Sequence, residues 1–149
     1  MNKKFKITIF ILTLLPFFYN CNKEIYIKPH LITSIEGTLY YYYDKGKFET
    51  FNFMFNSSES KELIKIINTS ERGNHTPLSH RLATIHLKVK LKEDDCKYYE
   101  IMISKEIGTY IYEFSDCYGS KFLVGRFKND KLGSYLIENL NEKFNMNDL

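Results

Sequence analysis

Cysteines, histidines and clustered aspartates are the residues through which this chain could do chemistry, so their spacing is read first. Cys96 and Cys117 flank a stretch, Lys97 to Ser115, that has the pattern of a β-hairpin. Two thiols at the open end of a hairpin can reach disulfide geometry if their side chains share a face, and a Cys96–Cys117 disulfide is the expectation; the alternative is two free thiols on opposite faces. Asp94, Asp95 and Asp116 crowd the same end. With no CxxC or HExxH spacing nearby, they read as a solvated acidic turn and not as a metal centre. His75 and His80 fall in a polar loop, and His86 falls on the polar side of a strand. None has an acidic or thiol partner at motif spacing, so all three read as surface histidines. Ser79 and His80 are adjacent, which is no catalytic signature, because nucleophile and base meet in space and not in sequence. No Gly-rich phosphate loop, nucleophile elbow or paired-carboxylate motif occurs. The expectation is a non-enzyme with neither metal nor cofactor.

A second constellation is aromatic. Tyr40 to Tyr43 form an unbroken run, followed after a turn by Phe48. Alternate tyrosines of a strand point to opposite faces, so Tyr40, Tyr42 and Phe48 share one. Exposed, they would form a partner-binding patch, since aromatics are enriched at interface cores. Covered by a helix, they would be a packed layer. The sequence leaves both open.

The elements that must position these residues are organised around Ala83 to Lys92. Its apolar residues Ala83, Ile85, Leu87, Val89 and Leu91 alternate strictly with polar ones, which predicts a strand with one dry and one wet face. Lys88, Lys90 and Lys92 on the wet side would discourage unwanted edge pairing. Ile32–Tyr43 and Phe48–Asn56 predict a hairpin around Asp44-Lys45-Gly46 that pairs Tyr43 with Lys47. That register puts Ile35, Gly37, Leu39 and Tyr41 on one face with Phe51, Phe53 and Phe55. Asn56 and Glu59 have capping-box spacing ahead of the stripe Leu63, Ile64, Ile66, Ile67, predicting a helix to about Asn68. Thr69 to Arg81, with Gly73 and Pro77, reads as the longest loop. Lys97–Ser104 and Thr109–Ser115 form the second hairpin, with Lys105 opposite Thr109. Lys121–Lys128 is a further strand. Asn129 or Asp130 caps a last helix carrying Leu132, Tyr135, Leu136 and Leu140. The expected fold is α+β: a single antiparallel sheet of about six strands, in β-β-α-β-β-β-β-α order, with two helices packed on it. Tyr and Phe at 12 each suit such a half-buried pleated surface. One domain, residues 31–141, is expected between a short tether (21–30) and a frayed tail (142–149).

The N-terminus carries an address. Lys3, Lys4 and Lys6 precede the apolar run Ile7 to Phe18, and Cys21 follows. The run is shorter than the roughly 20 residues of a membrane span, and no pair of small residues supplies an ordinary cleavage site. Residues 1–21 resemble a bacterial lipoprotein signal, with residues 1–20 removed and Cys21 lipidated. They depart from the usual pattern in Phe18, Tyr19 and Asn20. The resemblance implies a cell-envelope protein held in a membrane by its N-terminal lipid. With Asn22 after the cysteine, it implies the outer membrane over the inner.

Charge excludes one partner class. The net +3 arises from the three lysines of the signal, whose removal leaves 18 of the 21 basic residues against 18 acidic ones. No nucleic-acid binding is expected of a neutral chain. The functional expectation is a non-catalytic envelope lipoprotein that binds another envelope protein, as an assembly factor, inhibitor or immunity-type protein. The alternative is a small-ligand or lipid binder. Metabolic labelling with a lipid precursor should mark the wild-type chain and leave Cys21→Ser unlabelled; equal labelling of both would remove the lipid anchor from consideration.

Overall fold

The computed structural model describes residues 25–44, 47–73, 81–114 and 123–144. Seven strands form one antiparallel sheet: β1 (Ile32–Asp44), β2 (Lys47–Phe55), β3 (Glu71–Arg72), β4 (Ala83–Leu91), β5 (Cys96–Ser104), β6 (Gly108–Phe114) and β7 (Leu123–Lys128). Two α-helices complete it, α1 (Ser57–Ile67) and α2 (Asp130–Phe144). The α+β class with a single sheet is as expected, but the sheet has seven strands, not about six. The added strand is β3, inside the stretch read as a loop; two residues are too few to show a period of two. The order across the sheet is β2-β1-β4-β5-β6-β7-β3.

From Tyr42 inward the first hairpin has the expected register, with Ile35 opposite Phe55, Gly37 opposite Phe53 and Leu39 opposite Phe51, but Lys47 pairs with Asp44 and not with Tyr43, across an irregularity between Tyr42 and Asp44. Gly37 is required there, since a Cβ would stand 2.2 Å from the Phe53 ring. The ring lies over the glycine and covers backbone that would otherwise be bare. Phe53 and Phe55 are buried, whereas Phe51 is half-buried. In the second hairpin Ser104 pairs with Gly108, not Lys105 with Thr109. Gly108 adopts φ +86°, so the glycine closes the turn one position earlier than the sequence reading placed it. The slip moves each partner by two residues and therefore leaves every side chain on its expected face.

β4 lies between β1 and β5 in the middle of the sheet, so its lysines guard no edge, contrary to the sequence reading. Its alternation still sets the core: Ile85, Leu87 and Val89 are fully buried. They pack with Ile35, Leu39, Tyr99, Ile101 and Ile111 against Leu63, Ile64 and Ile67 of α1 and Leu132, Leu136 and Leu140 of α2. Each such aliphatic burial contributes about 1.5–3 kcal/mol. Both helices thus cover the same face.

Side-chain amides fix where the helices begin and end. Asn56 accepts from Ser58 and Glu59 N–H, both at 2.9 Å, while Glu59 accepts from Asn56 N–H at 2.7 Å. This is the expected capping box. Asn129 accepts from Leu132 N–H at 3.1 Å and donates to the Ile66 carbonyl at 2.8 Å. One side chain thereby starts α2 and satisfies the end of α1.

Two boundaries differ from the sequence reading. Ile25 and Ile27 are buried in the core, and Ile27 exchanges two 2.8 Å hydrogen bonds with the Asn68 amide. The stretch read as a tether to residue 30 is therefore part of the packed domain from Ile25 onward. At the other end α2 runs to Phe144, which sits 4.8 Å from Phe51; the tail read as frayed from residue 142 is helical that far.

Candidate functional site

The sheet face away from the helices carries the even-numbered residues of β1, β2, β4, β5 and β6. Among the described residues no helix lies on it. The hairpin register brings Tyr40, Tyr42 and Phe48 together, with ring centres 5.8 Å apart for Tyr40–Phe48 and 5.9 Å for Tyr42–Phe48. Phe48 is 51% exposed. Of the two arrangements the sequence left open, a helix over these rings is not what the described residues show.

The patch extends further than sequence reading reached. Tyr40 lies 4.9 Å from His86, His86 lies 5.7 Å from Tyr98, and Tyr98 lies 5.8 Å from Phe114. A diagonal row of rings therefore runs from β2 to β6. Beside it Met102 and Tyr112 form a small apolar cluster of their own, with Ile107, Tyr110 and Phe114 packed around them. The signal was present as alternation, because Tyr98, Met102, Tyr110, Tyr112 and Phe114 all occupy the non-core parity of their strands. It becomes visible only when cross-strand register is known.

A groove of about 570 Å³ opens beside the row. Glu36, Thr38, Asn52, Met54, His86, Lys88 and Tyr98 line it, with Gly37 and Phe53. Thr38 donates to Asn52 at 2.9 Å and Lys90 pairs with Glu36. Its volume suits a small molecule, but Thr38 and Asn52 pair with each other, and Glu36 and His86 are engaged by Lys90 and Glu100 just outside it. Thr84, buried at 4% exposure on the same face, has a hydroxyl with no hydrogen-bond partner among the described residues.

His86 is not the surface histidine the sequence suggested. It is held between Tyr40 and Tyr98, with its side chain 32% exposed and its Nε2 3.8 Å from Glu100. Burial lowers its pKa below the usual imidazole range, against the opposing pull of Glu100. Burial first, then Glu100 and Tyr40, pushes the Tyr98 phenol up to about 12. Tyr112 is raised as well, chiefly by burial. At neutral pH the middle of the row is uncharged, able to bury apolar surface and to form neutral hydrogen bonds.

The remaining sequence-predicted residues stand apart from the row or outside the described part. Cys96, at the start of β5 opposite Lys90, is disulfide-bonded; Cys117 and Cys21 lie outside the described residues, as do His75 and His80. Among the described residues no three His, Cys, Asp or Glu side chains gather as a metal site, and no helix is long and apolar enough to cross a membrane. No family model, curated protein or solved structure matches the chain.

Because His86 binds its proton more weakly folded than unfolded, the unfolded chain takes up more protons as pH falls. Stability from this residue is complete above about pH 6.5, the unfolded value, and declines as pH drops through and below it. The unfolding midpoint should therefore fall with pH in that window, and His86→Gln should flatten the slope. An unchanged slope in the variant would place the responsible group elsewhere.

Proposed function

We propose that the protein is a non-catalytic, membrane-anchored envelope lipoprotein that binds another protein through the uncovered aromatic face. The observation that carries this reading is the ring row from Phe48 to Phe114, on a sheet face to which neither helix contributes. Tyrosine suits such a surface, because its ring buries apolar area while its hydroxyl finds a polar partner. The groove lined by Thr38, Asn52 and His86 supports the second reading, a small ligand bound on the same face.

The packing of Ile25 sharpens the anchored geometry. With lipid on Cys21, only Asn22, Lys23 and Glu24 separate the anchor from a buried residue. Four Cα–Cα steps reach at most about 15 Å. Ile27 is bound to Asn68 at the end of α1, so the anchor would emerge beside the helical layer and leave the aromatic face clear.

The disulfide of Cys96 belongs to the same picture of an exported chain. We assign its partner as Cys117, because the two cysteines lie two and three residues beyond the Tyr98–Phe114 pair at the open end of the second hairpin. Unreduced peptide mapping of the exported protein should recover these two peptides linked; Cys96 linked to any other thiol would refute the assignment.

Tyr42 separates binding from folding. Its ring touches Phe48 on the uncovered face, so Tyr42→Ala should shift stability by less than about 1 kcal/mol. Partner captured from the protein's own membranes should nevertheless drop at least about tenfold, as for truncation at an interface centre. Undiminished capture by a folded Tyr42→Ala protein would count against the aromatic face. Capture of no protein, with saturable small-molecule binding lost in Asn52→Ala, would favour the second reading.

A further inference from the structure

We infer that the edge strand of the sheet, β2, pairs with the β2 strand of a second copy of this chain. β2 is the terminal strand of the order and nine residues long, and among the described residues β1 is its one strand neighbour. Which of its backbone groups point outward follows from two independent contacts. Tyr42 N–H bonds the Leu82 carbonyl at 3.0 Å, on the β4 side of β1. The even-numbered residues of β1 therefore face β4, and their partners on β2, namely Phe48, Thr50, Asn52 and Met54, direct their N–H and C=O away from β1. In agreement, the Met54 carbonyl is taken by the Lys143 ammonium at 3.0 Å and not by the ladder.

That edge is self-complementary. A two-fold axis at Phe51 sets Thr50 opposite Asn52 and Phe48 opposite Met54, each twice. All four are outward-facing residues, so these pairs fall where ladder hydrogen bonds form. Phe48 and Met54 are 51% and 60% exposed, lie on one face, and would cover one another. Glu49 would face Phe53 and Lys47 would face Phe55, so no like charges oppose. On the other face the half-buried Phe51 and Phe144 rings, 4.8 Å apart, would meet their own copies at the axis and extend the core. Lys143 would release one carbonyl and keep its 2.9 Å bond to Glu59. Isologous pairing of this kind closes at two copies.

The test uses the full-length chain, co-expressed in two differently tagged forms and exported. Thr50→Cys in one and Asn52→Cys in the other should give a reducible cross-link between the tags, as should Phe48→Cys with Met54→Cys. Thr50→Cys with Met54→Cys, out of register, should give at least about tenfold less. Thr50→Pro removes an outward N–H while sparing the β1 ladder, and should abolish the Phe48→Cys/Met54→Cys link. Should that variant fail to accumulate, Asn52→Pro, which removes the outward N–H two residues along the same strand, should abolish the same link. Tyr42→Ala should leave the links unchanged, which separates this pairing from capture of another protein. Absence of the in-register links, or equal linking at every position, would overturn the inference.

Discussion

A sheet has two faces, and the two α-helices of the described residues both pack on the same one. Leu63, Ile64 and Ile67 of α1 and Leu132, Leu136 and Leu140 of α2 are all buried against Ile35, Leu39, Ile85, Leu87 and Ile101. That choice leaves the second face without a helix among the described residues, yet strands in the middle of a sheet carry side chains on both sides. The chain resolves this with amphipathic residues. Tyr40, Tyr98 and Tyr112 offer an apolar body for packing and a hydroxyl for a polar partner, and Met102 and Tyr112 pack together with Ile107, Tyr110 and Phe114. A face of aliphatic residues would have met the same packing demand and invited aggregation.

Charge is distributed to the same end. Lys97 is paired with Glu113 at 2.6 Å, where the Glu113 side chain is 6% exposed, and Lys143 with Glu59 at 2.9 Å. Both pairs belong to the helical side of the sheet or its rim. Removing one partner of the Lys97–Glu113 pair would leave a charge stranded beside the buried Tyr99 ring. On the aromatic face, Lys90 pairs with Glu36 toward one end of β4, and the centre is held by His86, whose burial keeps its imidazole in the neutral form.

Periodicity made much of the fold legible, and the rest failed for local reasons. The alternation of Ala83–Leu91, the stripe of α1 and its Asn56–Glu59 box, and the first-hairpin register were all readable because each is a local rule with a strong signal. β3 was not, since Glu71 and Arg72 have no pattern of their own and pair because β7 lies beside them. Ile25 and Ile27 read as tether because two alternating isoleucines beside Pro29 carry too little periodicity; the Asn68 amide that holds them is 41 residues away. Of the site, Tyr40, Tyr42 and Phe48 were found from one hairpin. His86, Tyr98 and Phe114 were missed because their contacts cross strands distant in sequence. His86 in particular has Thr84 and Lys88 as its same-face neighbours along the strand, and the rings that flank it, Tyr40 and Tyr98, come from the two adjoining strands.

The anchor, the edge and the face constrain one another. Pairing two copies through β2 in a continuous antiparallel sheet requires a two-fold axis normal to the sheet, because only then do even-numbered side chains of both copies stay on one side. Both helical layers then lie on one side of the dimer and both aromatic faces on the other. Ile25 and Ile27 pack within the helical layer, so two lipidated N-termini would enter the same membrane from the same side. The two ring rows would point away from it as one surface. Face-to-face association through the aromatic rows would instead direct the two anchors oppositely, and a leash of three residues is too short to turn either one back. For a chain held by lipid on Cys21, as proposed, an edge dimer is thus the arrangement of two copies that keeps the aromatic face clear of the membrane.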